Sequence, residues 1–209
     1  MREKFCFLVT LLILAATGTL VTAHQDGIHG EFVKNGCACH GSAPSEEVSV
    51  AIDGLPSVYN ASQVYPLTIT VTGGPTASGT NHGGFNLRVG GGVLSKNSSD
   101  QTVLIAQQSM EATHTSSGTL QYSWNVTWTA PDNDVFLIEV RAFGNAVNGD
   151  GSPAGDEWAG LTTNVPGQNW TESSDDVAGN DLVFIAIAIL SFVALAGLIV
   201  WKNWFISEE

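Results

Sequence analysis

The stretch Leu120-Gln121-Tyr122-Ser123-Trp124-Asn125-Val126-Thr127-Trp128 alternates without a break. Leu120, Tyr122, Trp124, Val126 and Trp128 share one face, and Gln121, Ser123, Asn125 and Thr127 share the other, which is the period of a half-buried β-strand. Each aromatic ring on the apolar face carries roughly 150–250 Å² that has to leave water, so this strand needs a second apolar surface to pack against. The same period recurs in Val48, Val50 and Ile52, in Leu67, Ile69 and Val71, and in Phe85, Leu87 and Val89. It recurs again over Val135 to Phe143, where Phe136, Ile138, Val140 and Ala142 are in phase opposite Glu139 and Arg141. Turn signals separate these runs, among them Gly73-Gly74-Pro75, Gly90-Gly91-Gly92 and Ala130-Pro131-Asp132-Asn133. About seven short strands at this spacing predict an all-β, immunoglobulin-like β-sandwich of roughly a hundred residues, large enough for its own core.

Outward from the body, 46–161, the chain changes character at both ends. Residues 1–23 read as a secretory signal: Arg2 and Lys4 are basic, Phe5 to Ala16 is apolar, and Val21-Thr22-Ala23 offers small residues for cleavage, leaving His24 first. Residues 24–45 form an N-terminal segment and 162–181 a polar stalk. Leu182 to Trp201 is twenty residues without a charge, which at ~1.5 Å per residue matches a hydrocarbon core of ~30 Å. It predicts a single transmembrane helix. Lys202 after it and Asp175, Asp176 and Asp181 before it place the tail, 202–209, in the cytoplasm and the body outside the membrane.

Removing Arg2, Glu3 and Lys4 with the signal from seven basic and twenty acidic residues leaves five and nineteen, a net charge of −14. That balance argues against a nucleic-acid partner. Four sequons, at Asn60, Asn97, Asn125 and Asn169, lie in the exported part and make it compatible with glycosylation.

The chemistry-bearing motif is Cys37-Ala38-Cys39-His40-Gly41. It is one residue short of the C-x-x-C-H attachment site of a c-type haem, in which two thiols bind the porphyrin and the adjacent His binds iron. The adjacency of Cys39 and His40 is kept. The residues leave three readings open: covalent haem on Cys37, Cys39 and His40, a structural Cys37–Cys39 disulfide of an exported protein, or another metal. Zinc is disfavoured for want of a second spaced ligand pair, and blue copper by the adjacency of Cys and His. Asn148-Gly149-Asp150-Gly151 with Asp156 and Glu157 gathers oxygen donors as part of a calcium loop would, although Asn148-Gly149 equally reads as a type I′ hairpin turn. No Ser, His and Asp set stands in a recognisable nucleophile context, so no enzyme activity is assigned.

Gly36-Cys37-Ala38-Cys39-His40-Gly41, Gly84-Phe85-Asn86-Leu87, Thr113-His114-Thr115, Trp124 with Trp128-Thr129-Ala130-Pro131, and Gly144 to Gly151 leading to Gly155-Asp156 occur in this order. Taken together, over about Gly36 to Trp158, they resemble the Reeler-like choice-of-anchor V domain of exported prokaryotic proteins. The resemblance implies a Reeler-like sandwich and a haem. For the second axial ligand it points to His114, with Met110 as runner-up; His24, His29 and His82 are the other imidazoles of the mature chain. Two functions follow as expectations. One is a membrane-anchored electron carrier with haem c, serving an unknown redox partner. The alternative is a surface binding or adhesion module, with a structural Cys pair and no cofactor.

Overall fold

The computed structural model describes residues 25–172 and 187–192. The signal segment, His24, residues 173–181 of the stalk, most of the apolar segment Leu182 to Trp201 and the tail 202–209 lie outside the described residues. Residues 187–192 are helical, and among the described residues no helix is long and apolar enough to cross a membrane.

Among the described residues nine strands form two sheets: β1 Val48–Asp53, β2 Val64–Gly73, β3 Gly83–Val89, β4 Val93–Ser95, β5 Val103–Ala106, β6 Glu111–His114, β7 Ser123–Thr129, β8 Leu137–Ala146 and β9 Glu157–Pro166. One sheet has the order β1-β2-β7-β4 and the other β5-β6-β3-β8-β9, with every strand pair antiparallel. The protein is therefore an all-β, two-sheet sandwich. Trp124, Trp128, Leu67, Ile69 and Val71 face Phe85, Leu87, Val89, Val140 and Ala142 across the core. The sheets approach so closely at Gly144 that an added Cβ would stand 2.4 Å from Val71 Cγ2.

Two positions of the alternating runs depart from their expected face. Leu120 is 55% exposed because Ser116–Leu120 is a 3-10 turn and β7 begins only at Ser123. The turn is held by Thr119, whose hydroxyl reaches Asn81 Oδ1 and Ser116 O, and by Gly118 O, which accepts the Trp124 indole N–H at 2.9 Å. Phe136 is 52% exposed. Its carbonyl accepts Gly167 N and the Tyr59 hydroxyl, so the backbone is held there while the ring faces outward ahead of β8.

The body also runs further than the alternation implied. β9 continues through Thr162, Thr163 and Asn164 to Pro166, paired with β8 from Leu137↔Pro166 to Ala146↔Glu157, and the compact unit reaches Trp170. The first residues of the expected stalk are thus an edge strand, whose polar side chains alternate with the buried Val165.

The N-terminal segment lies against the outer face of the five-stranded sheet. Alternation puts Asn86, Glu111, Thr113 and Asn145 on that face, where polar residues normally meet water, yet all four are buried. The covering segment satisfies Asn86 and Glu111, and the sheet itself satisfies Thr113, as buried polar groups require. Asn86 Nδ2 donates to Ile28 O at 3.1 Å, Gly30 N to Glu111 Oε2 at 2.6 Å, and Thr113 Oγ1 to Phe85 O at 2.7 Å. Gly27 N donates to His114 O, and Ser45 N to Trp158 O.

Candidate functional site

The Cys-x-Cys-His motif is fastened over β9. Gly36, at φ +89°, lies so close to Trp158 that an added Cβ would stand 2.3 Å from its ring, and the Trp158 indole N–H donates to Gly41 O at 2.9 Å. Between these two contacts Ala38–His40 makes one 3-10 turn, closed by His40 N donating to Cys37 O at 2.8 Å. The turn sends its two thiols to different surroundings. Both cysteines are free; Cys39 is exposed, while Cys37 is half-buried with its sulfur enclosed. Burial, and then the neighbouring Cys39, pushes the Cys37 thiol up to about 12, so it stays protonated and unreactive at neutral pH.

The turn points His40 at the buried carboxylate of Asp156. His40 Nδ1 and Asp156 Oδ2 are 2.8 Å apart. An ionised carboxylate only accepts, so Nδ1 carries a proton and Nε2 is the ring nitrogen left without a protein partner among the described residues. Asp156 Oδ1 accepts Asn148 N at 2.9 Å, which ties the β8–β9 loop to the same carboxylate.

His114, at the end of β6, is held from the other side. Its ring lies on Gly84, where a Cβ would stand 2.3 Å from Cε1, and its Nδ1 is 3.1 Å from both Phe85 O and Phe85 N. Nδ1 accepts from Phe85 N in one tautomer and donates to Phe85 O in the other; in the second, Nε2 is again the open nitrogen. Burial lowers the pKa of His114; the donated hydrogen bond opposes this and the nearby His40 adds to it.

His40, His114 and Asn145 all line two adjoining cavities of about 90 and 60 Å³. Cys37 and Cys39 edge the smaller one. The fold therefore brings together Cys37, Cys39, His40 and His114, residues up to 77 positions apart in the sequence.

Met110 does not join them. It lies beyond the opposite end of β6, four residues or roughly 13 Å of strand from His114, and lines neither cavity. His29 bonds Gln107 and His82 stacks on Tyr122, both outside the two cavities. In the β8–β9 loop the oxygen donors face the loop's own nitrogens: Asp150 N donates to Asn148 Oδ1, Ser152 N to Asp150 Oδ1, and Asp156 is taken by His40 and Asn148. Positive φ occurs at Gly149 and not at Asn148, so the turn is an Asx-type loop and not a type I′ hairpin. Asn60, Asn97, Asn125 and Asn169 are all exposed.

Sequence reasoning gave no role to Trp158 or Asn145, and read Asp156 only as an oxygen donor of a calcium-type loop and not as the partner of His40. The only signal of their place at this site was the order in which Gly144-Asn145 and Gly155-Asp156 follow the Cys motif.

The donors and the space make different statements about haem. Two imidazoles with Nδ1 engaged and Nε2 open suit the axial positions of an iron. The cavities, at 90 and 60 Å³, hold a few waters and fall well short of the roughly 300–1,000 Å³ typical of pockets for small molecules and cofactors. The residues fit a pair of nitrogen ligands; the space does not fit an enclosed porphyrin. Among the described residues no three His, Cys, Asp or Glu side chains converge on one point.

No protein-family model matches the sequence, and no curated protein sequence matches it. Among solved structures the chain is similar to the human F-spondin reeler domain, at 16% identity and a TM-score of 0.42 over 60% of this chain and 91% of that one. It is also similar to the Reelin-N domain of F-spondin, at 17% identity and 0.41 over 60% and 88%, and to a cohesin module of a Clostridium perfringens family 33 glycoside hydrolase, at 7% and 0.32 over 58% and 97%. Likeness at this level carries no function across.

Proposed function

We propose that this protein is an exported binding module of the choice-of-anchor V kind, tethered to the membrane by its C-terminal apolar segment, with its ligand site at the far end of the sandwich. One observation carries the reading. β8 and β9 run side by side for ten residue pairs, with Leu137 and Pro166 at one end and Ala146 and Glu157 at the other, a span of roughly 30 Å. The chain leaves the sandwich at the first end. His40, Asp156, Asn145 and Trp158 stand at or near the second, so the site lies at the end of the sandwich opposite to the one where the strand pair gives way to Gly167 and Trp170.

A second reading rests on the imidazole pair. A haem lying in the open groove beside exposed Cys39, joined by one thioether and held by His40 and His114, would make the module an electron carrier. A membrane-impermeant maleimide applied to intact cells separates the cases. The binding module predicts labelling at Cys39, lost in Cys39→Ser and independent of Cys37. Labelling only after lysis refutes the outward placement. Cys39 unreactive even in denatured protein, with a Soret band that survives acid-acetone, selects the haem.

A further inference from the structure

Asn145 makes no side-chain hydrogen bond among the described residues, although it is 6% exposed and borders both cavities with His40 and His114. Its amide is not one of the fully enclosed polar atoms left without a partner; it opens on the cavity space, where a ligand or water can bond it. Here the carboxamide faces the same space as two open imidazole nitrogens. Those nitrogens are held independently: His40 by the Asp156 carboxylate at 2.8 Å, and His114 by Phe85 at 3.1 Å and by its seat on Gly84. An imidazole whose Nδ1–H is fixed by a carboxylate or a backbone carbonyl presents an oriented, more basic Nε2, the usual arrangement behind a metal-bound histidine. The surroundings are acidic, with Asp156 and Glu157 on β9 or its approach and Asp26 on the N-terminal segment, which favours a cation over an anion.

We infer that His40 Nε2, His114 Nε2 and the Asn145 carboxamide oxygen form a site for a divalent transition-metal ion of the zinc and copper class. Two imidazoles select these ions over magnesium and calcium, which prefer oxygen. Three protein donors leave a fourth position for water or for a donor atom of the ligand that the module binds. The inference rests on the reading of this end of the sandwich as a binding site and names its chemistry.

The test uses the full exported chain, purified in detergent with Cys37→Ser and Cys39→Ser so that thiols neither bind nor reduce the ion. Zinc binding is measured by calorimetry, and copper(II) coordination by electron paramagnetic resonance. The expected result is one ion per chain, with nitrogen hyperfine structure from two imidazoles. His40→Ala or His114→Ala should reduce this to one nitrogen and weaken zinc at least tenfold. Asp156→Asn should weaken it roughly 10–100-fold through the orientation of His40. His29→Ala, remote from the site, should leave it unchanged. His40 stands at the cavity margin, so its variant keeps the sandwich intact; far-ultraviolet circular dichroism checks this for each protein.

Failure to bind either ion, or binding that both histidine variants leave intact, overturns the metal site. External labelling of Cys39 would still support the binding module after such a failure. A parent protein isolated with covalent haem overturns both together.

Discussion

Replacing Gly84 with alanine puts the placement of His114 to a direct test. The glycine has ordinary backbone geometry, so Gly84→Ala introduces no φ strain, but its Cβ would stand 2.3 Å from His114 Cε1 and 2.7 Å from both ring nitrogens. Real Cβ contacts are not that short, and the imidazole has to leave. Overpacking of this kind costs about 1–3 kcal/mol, and loss of the His114 Nδ1 to Phe85 bond adds about 1 kcal/mol. The total, about 2–4 kcal/mol, corresponds to a fall in Tm of roughly 4–16 °C for a domain of this size. Thermal unfolding followed by tryptophan fluorescence measures it, because Trp124 lies against Phe85 with ring centroids 4.8 Å apart. The same variant should bind zinc as weakly as His114→Ala does. A Gly84→Ala protein that melts with the parent and binds zinc like the parent would show that the ring does not rest on Gly84, and the site as drawn would be wrong.

Trp124→Asp should abolish cooperative unfolding by urea, since it places an uncompensated carboxylate at a position 1% exposed and its cost approaches the whole stability of a small domain; a normal transition would mean that Trp124 is not in the core. In purified protein at pH 8, Cys39 should be alkylated at once and Cys37 only on unfolding, because burial holds the Cys37 thiol up to about 12; equal rates would contradict the enclosed sulfur. Folding lowers the His114 pKa, mainly by burial and partly through nearby His40. The unfolded chain therefore binds more protons in this range, and the contribution is complete above about pH 6.5 and is lost as the pH falls through that value toward the folded pKa. The urea midpoint of metal-free protein should drop between pH 7 and pH 5, with a shallower drop in His114→Asn; identical slopes would exclude this group. Asp156→Ala removes the acceptor of both His40 Nδ1 and Asn148 N, at about 1–3 kcal/mol for each bond to the charge, and should speed hydrogen exchange at Asn148 well above that at Val140, in the middle of β8; unchanged exchange would show that Asp156 does not hold the loop.

Alternation alone was enough to place the cores of β1, β2, β3, β7 and β8, since a strand with one face in water and one in the core writes its period into the residues, as Trp124, Val126 and Trp128 do. It failed where the backbone was held by something distant. Leu120 and Phe136 continue their apolar runs, but Thr119 bonded to Asn81, and the Phe136 carbonyl bonded to Gly167 and Tyr59, fix local conformations that turn both side chains outward. β9 was not read as a strand, and its second half was placed in the stalk, because Thr162, Thr163 and Asn164 carry no apolar period; pairing with β8 at the sheet edge supplies the order instead.

The site divides in the same way. Cys37, Cys39, His40 and His114 were legible as residue types with chemistry, because thiols and imidazoles announce themselves wherever they stand. Their grouping was not, since His40 meets Asp156 across 116 positions and His114 meets Phe85 across 29. The burial of Asn145, Glu111 and Asn86 was invisible for a related reason. On a sheet face polar residues signify water, and only the tertiary structure shows that residues 25–45 take the place of that water. Local sequence determines which way a strand's side chains point; what stands opposite them depends on contacts between distant segments, which the hydrophobic period does not encode.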